Sequence, residues 1–257
     1  MDGRFDASYP LLFSHPRMVQ DLLGGFLPEE WIGWLDLATL ERRDGDRPPD
    51  KDGIVIWRCR WQGGSDWVYL LLKAQEEDDP YIALHLELCR NLFYRALLRR
   101  QPGRPGQYRR GLRLPAVVPV VLYAGGAPWT APRDACELFL PLVPALQGHV
   151  PRTRYLLLDA AHAALPAAPP PGQEGNLVTL LCELERSRTA EAVDPLLERL
   201  AARLAESGDE PLRRAWSRFL GLSFLPRRFP LLFPEPAPEP GPVSVPAAVA
   251  DDGRTLC

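Results

Sequence analysis

Hydrophobic positions first recur at helical spacing. In HPRMVQDLLGGF, Met18, Val19, Leu22, Leu23 and Phe26 fall on one side of a helix, because residues three and four apart stack on the same face. Ser14 and Pro16 supply start signals for this amphipathic opening helix. A polar loop, ERRDGDRPPDKDG, separates it from two runs of different character, IVIWRCRW at 54–61 and WVYLLLKAQ at 67–75. Both are rich in β-branched and aromatic residues and are joined by QGGSD, so they predict a β-hairpin with both strands mostly buried. Residues 79–100 return to helical spacing, with Ile82, Leu86, Cys89 and Phe93 facing inward. Apolar runs at 117–123 and 154–159 predict two further strands. Three helical stretches follow, at 174–187, 189–207 and 210–224.

Proline divides this pattern. Pro166, Pro169, Pro170 and Pro171 forbid regular structure in AALPAAPPPGQEG, which reads as a linker. The expected organisation is a first domain over 1–163, a linker over 164–173 and a helical C-terminal unit over 174–228. A proline-rich tail over 229–257 is too poor in core-forming residues to pack, so disorder is expected there. The 257 residues suffice for a sizeable core. Alternating strands and helices place that core in the α/β class, a mixed central sheet flanked by helices.

Charge narrows the function only locally. Thirty basic and 33 acidic residues give a net charge of −3, which neither demands nor excludes a polyanionic partner. Arg95, Arg99, Arg100, Arg104, Arg109 and Arg110 nevertheless concentrate at and beyond the end of the long helix, the best local candidate for phosphate contacts. The five cysteines are odd in number, widely spaced and without a CxxC pair, the pattern of reduced thiols in a cytoplasmic protein. No basic and apolar leader opens the chain, and no apolar run reaches the ~20 residues of a membrane span. The four histidines lie in unlike segments without metal-ligand spacing. AGGAP at 124–128 opens no helix, so it does not make a phosphate loop.

The hairpin carries the sharpest chemical signal. Lys73 and Gln75 lie two residues apart in a strand and therefore project together. Five segments in order, DASYPLLFSHPRMVQDLLGGFLPEEW, IVIWRCRW, WVYLLLKAQ, LPAVVPVVLYAGGAPWTAP and GNLVTLLCELERS, resemble the recombination-promoting nuclease family, also called YhgA-like putative transposases. The resemblance runs from about residue 6 to 228 and implies a restriction-endonuclease-like core of the PD-(D/E)XK type. It further implies cleavage of DNA with Mg²⁺, a hard cation held by converging carboxylates. The family's strand Asp falls on Ile54, and its Glu-x-Gln falls on Lys73, Ala74 and Gln75. Asp6 keeps an acidic family position, whereas the family's Lys after the tyrosine is Pro10.

Three functional readings follow. The first is a family member impaired in cleavage that retains DNA binding through the arginines. The second is a protein-interaction or homo-oligomerisation module on an inactive nuclease fold. The third is an active Mg²⁺ endonuclease whose acidic ligands have moved to Asp6, Asp52 and Glu76. Mg²⁺ belongs only to the third, and no cofactor is expected otherwise.

Overall fold

A computed structural model describes residues 8–27, 29–43, 53–100, 111–140, 143–165 and 175–233. Its centre is a five-stranded sheet in the order β1-β2-β3-β4-β5, formed by Leu35–Arg42, Ile54–Trp61, Trp67–Gln75, Ala116–Tyr123 and Leu156–Asp159. The first three strands are antiparallel neighbours, and β3, β4 and β5 run parallel. The parallel step from β3 to β4 requires a crossover. It is made by α3, Ile82–Arg99.

Alternation along the strands sorts the core into two layers. Val55, Trp57, Cys59, Leu70, Leu72, Val120 and Leu122 face one cluster. There they meet α1 (Ser8–Leu12), α2 (Pro16–Gly25) and three C-terminal helices: α4 (Leu177–Arg186), α5 (Ala190–Ser207) and α6 (Glu210–Phe219). Ile54, Ile56, Tyr69, Leu71, Val117, Val121 and Tyr123 face the opposite cluster, closed by Ile82, Ala83, Leu86, Cys89 and Phe93 of α3. Because both faces of β2 and β3 are covered, their sequences read as nearly continuous apolar runs. At about 25 cal/mol per Å² of apolar surface removed from water, these two layers supply the main drive to fold.

The hairpin, α3 and both later strands form where periodicity predicts them. The four inward positions named for α3 are all buried. Several boundaries differ for physical reasons. His15 rather than Ser14 is the N-cap of α2, with Pro16 at its first turn. The third helix starts at Ile82 rather than 79, because an Asp79 carboxylate oxygen accepts from the Tyr81 N–H in the turn before it. Arg154 pairs with Asp134 in an isolated bridge, so β5 begins two residues later than expected.

Sequence periodicity misses β1 and α1. In β1 the register shifts between Asp36 and Glu41, and a bulge breaks the period-two pattern on which strand recognition rests. The helix α1 spans only five residues, too few to show a periodic face.

Both sheet edges are guarded. The register shift interrupts the pairing of β1, and β5 has only four residues. Pro119 is tolerated inside β4 because pairing with β5 begins only at Val120.

The C-terminal helices are capped by their own side chains: Asn176 for α4, Thr189 for α5 and Asp209 for α6. Gly208 ends α5 in the left-handed region, at φ 63°. A π-helical turn, Leu220–Phe224, then leads into α7, Leu225–Arg228. Trp216, Phe219 and Phe224 are buried in the same cluster as the sheet, and Tyr9 of α1 packs 5.9 Å from Phe219. Most of the proline-rich stretch, and the tail beyond Phe233, lie outside the described residues.

Candidate functional site

Strand pairing brings the motif positions together. Ile54 of β2 stands directly opposite Lys73 of β3. Gln75 follows two residues on and is in register with Tyr123 of β4, which is in register with Asp159 of β5. Period-two geometry puts Lys73, Gln75, Tyr123 and Asp159 on the α3 side, at the carboxyl ends of the parallel strands. Lys73 and Gln75 therefore share a face, as their spacing predicts.

The chemistry of that corner is unlike a cation site. Ile54 is 1% exposed and belongs to the apolar cluster under α3. A Mg²⁺ ion needs oxygen ligands. Here the two strand positions offer a hydrocarbon and an ammonium group, so they do not fit the metal. Among the described residues no group of three or more His, Cys, Asp or Glu side chains could hold one. Asp6 and Asp52 lie outside the described residues, and the charge of Glu76 acts on Arg227.

Two carboxylates do stand at this corner, neither singled out by the sequence. Asp78 accepts from the backbone N–H of Thr130 at 2.9 Å and of Ala131 at 3.1 Å, and also from the Thr130 hydroxyl. Asp159 accepts from the Trp129 N–H at 3.2 Å and lies 2.9 Å from His162 Nδ1. Both therefore fasten the loop after β4 across the strand ends. Trp129 in turn meets the Tyr123 ring edge-on at 4.8 Å. Gly125 is required beneath that ring, because a Cβ there would come within 2.0 Å of the Tyr123 hydroxyl. Burial, followed by the negative charges of Asp159 and Asp78, pushes the Tyr123 hydroxyl above its ordinary pKa. A strand-end Asp in LLLDA was the one available sequence signal, but Trp129, the loop residue that it holds, lies 30 residues away.

A second polar group is buried on the opposite side of the sheet. Glu185 of α4, 4% exposed, receives both of its 2.6 Å bonds from Arg227 and a 3.2 Å bond from the Tyr9 hydroxyl. Arg227 also donates to the carbonyl of Ala124, just past β4, at 3.1 Å. Burial first, and then the Glu185 charge, raises the Tyr9 pKa well above its ordinary value. For Arg227 burial is the largest single effect and lowers the pKa, but the charge and hydrogen bonds of Glu185, with the charges of Tyr9 and Glu76, together outweigh it, and the pKa rises. This is a bidentate guanidinium–carboxylate pair tying α1, α4, α7 and the end of β4 together.

The arginines lie elsewhere. Arg95, Arg99 and Arg100 are exposed on the last turns of α3, and Arg95 and Arg99, four apart, share a helix face. Arg104, Arg109 and Arg110 lie outside the described residues. The helix returns antiparallel to β3 and β4, so its end is about 25 Å from its start at 1.5 Å per residue. There Leu97 joins Trp61, Trp67, Tyr69, Leu112 and Arg113 around a cavity of about 650 Å³. The guanidiniums of Arg58 and Arg60 lie over the Trp67 ring at 4.0 and 4.8 Å. The structure thus does not bring Arg95, Arg99 and Arg100 to the motif corner.

The profile of the family described as "putative transposase, YhgA-like" matches residues 4–201. The chain belongs to that family. The match runs from the N-terminus through the whole sheet and into α5, ending earlier than the resemblance to residue 228 read from the sequence. No curated protein and no solved structure matches the chain. In this YhgA-like fold, no helix among the described residues is long and apolar enough to cross a membrane.

Proposed function

We propose that this YhgA-like chain binds duplex DNA through the arginines at the end of α3 and does not cleave it at the positions of the nuclease motif. The observation that carries the second half is the direct pairing of Ile54 with Lys73. Two positions that resemblance assigns to Mg²⁺ ligands are cross-strand neighbours on one face, and neither has an oxygen to offer. Binding rests on Arg95, Arg99 and Arg100, which are exposed at the C-terminal end of α3. Such contacts give affinity that falls with salt and carries no base readout.

A labelled duplex titrated at several salt concentrations tests the binding half. A shift that weakens steeply with salt, and further on joint replacement of Arg95, Arg99 and Arg100 by Ala, is expected. No shift at low salt would remove it. Plasmid nicking with Mg²⁺ or Mn²⁺ tests the other half. No nicking is expected; cleavage lost in Asp52→Ala or Glu76→Ala would establish the relocated acidic site in its place.

A further inference from the structure

A third polar concavity lies apart from both the motif corner and the arginine end of α3, and it contains two guanidiniums. Glu29, Trp31, Val118, Arg133, Arg154 and Tyr155 line a pocket of about 330 Å³, at the lower end of the range for small-ligand sites. It opens beside β4 where β5 has not yet begun, since Val120 and Leu156 are the first residues of the two strands to pair.

The two arginines are held by different means. Arg133 lies with its guanidinium 5.3 Å from the centre of the Tyr155 ring. That ring is fixed at its far end, where the hydroxyl accepts from Trp129 Nε1 at 3.0 Å and donates to the Pro132 carbonyl at 2.9 Å. Arg154 is placed by its backbone bridge to Asp134. Among the described residues, neither guanidinium has a carboxylate within salt-bridge distance, although Glu29 borders the same pocket. Loss of water, reinforced by the charge of Arg154 and opposed by Tyr155 and the charge of Glu137, pulls the Arg133 pKa below its ordinary value.

Two like charges directed at one concavity repel, and a bound dianion would relieve that repulsion. Planar guanidiniums recognise phosphate oxygens with two parallel N–H bonds. Trp31 adds a flat apolar wall on which a ring attached to that phosphate can lie.

We infer that Arg133 and Arg154 form a binding site for a phosphate monoester, with Trp31 and Tyr155 as its walls. The phosphate is that of a free mononucleotide or of a nucleic-acid strand end. The inference goes beyond the duplex binding assigned to α3 and does not depend on it.

Calorimetric titration of the full chain tests it, using adenosine 5′-monophosphate, adenosine, and a single-stranded octanucleotide with and without a 5′-phosphate. Binding of the monophosphate but not of adenosine is expected, weakened at least tenfold in Arg133→Gln and in Arg154→Gln. A preference for the 5′-phosphorylated over the 5′-hydroxyl octanucleotide, exceeding the affinity for the mononucleotide, identifies a strand end; the reverse order identifies a free nucleotide. Absence of heat with every phosphate compound overturns the site. So does equal binding of adenosine and its monophosphate, or binding undiminished in both variants. The comparison of adenosine with its monophosphate uses the unaltered chain and decides the matter if a variant fails to fold. Loss of duplex binding at α3 with retention of the monophosphate separates the two sites.

Discussion

The two ends of α3 hold opposite kinds of charge in opposite states. At its start, beside the carboxyl ends of β3, β4 and β5, Asp78 and Asp159 are bonded to backbone groups of the loop at Trp129–Ala131. At its end, Arg95 and Arg99 stand in solvent. The first end is construction and the second is available surface. A charge already satisfied by several fixed donors holds a fold together but has little left to offer a ligand. An exposed charge adds little to stability yet remains free to meet a phosphate. The difference separates the strand-end corner that holds the motif positions from the exposed surface to which duplex binding is proposed.

The comparison breaks most severely at Glu185. Glu185→Ala leaves Arg227 beneath the end of β4 without its carboxylate, and removing one member of a buried pair typically costs about 3–5 kcal/mol. Urea unfolding should show a loss in that range; a loss below about 1 kcal/mol would mean that the Glu185–Arg227 pair does not anchor this end.

Ile54→Asp, which puts a carboxylate where the resemblance expects one, should also destabilise strongly. It places a carboxylate in an apolar layer and removes buried hydrocarbon, at a cost of roughly 2–5 kcal/mol by the same measurement. Unchanged stability would show that this corner is open enough to hold a charged ligand set.

Asp78→Ala should cost about 1–3 kcal/mol, because it orphans the N–H groups of Thr130 and Ala131. Amide exchange should quicken at those two residues while the duplex shift persists. Simultaneous loss of duplex binding would join the two ends functionally. Arg99→Ala should move stability by no more than about 0.5 kcal/mol, yet it should lower the salt slope of DNA binding by about one.

The smallest effect concerns pH at Asp21. Burial, partly offset by the Leu177 N–H and by Arg17, raises its pKa above 3.8. The folded chain therefore holds this proton more tightly than the unfolded chain. The contribution favours folding fully below 3.8 and is lost as pH rises through the higher folded value. Asp21→Asn should flatten that part of the stability profile, and an unchanged profile would exclude Asp21 as its source.

Much of the fold is readable along the chain. IVIWRCRW and WVYLLLKAQ coincide with β2 and β3 to the residue, because dense β-formers fill them and Gly53, QGGSD and the EEDDP run bound them. The helical repeat of α3 names its buried face correctly. What escapes has a local cause: β1 carries a bulge, and α1 is barely more than one turn. The site is less readable. Spacing tells that Lys73 and Gln75 share a face, and resemblance points to Ile54, but nothing near Asp78 or Asp159 in sequence reveals the loop that they hold. Their partners lie 52 and 30 residues away. Tyr9 and Glu185, 176 apart, are more distant still.

The sequence by itself determined the hairpin, the crossover helix, the common face of Lys73 and Gln75, and a YhgA-like chain lacking carboxylates at two positions. Those follow from periods of two and 3.6 residues and from residue identity, which act over a few positions. The tertiary structure decided which charges are spent and which are free. It set Ile54 against Lys73, enclosed Glu185 with Arg227, left Arg95 and Arg99 on the last turns of α3, away from the motif corner, and turned Arg133 and Arg154 into one pocket. Those outcomes depend on where the chain returns after long excursions, because a charge acquires its role only from the groups that fold against it.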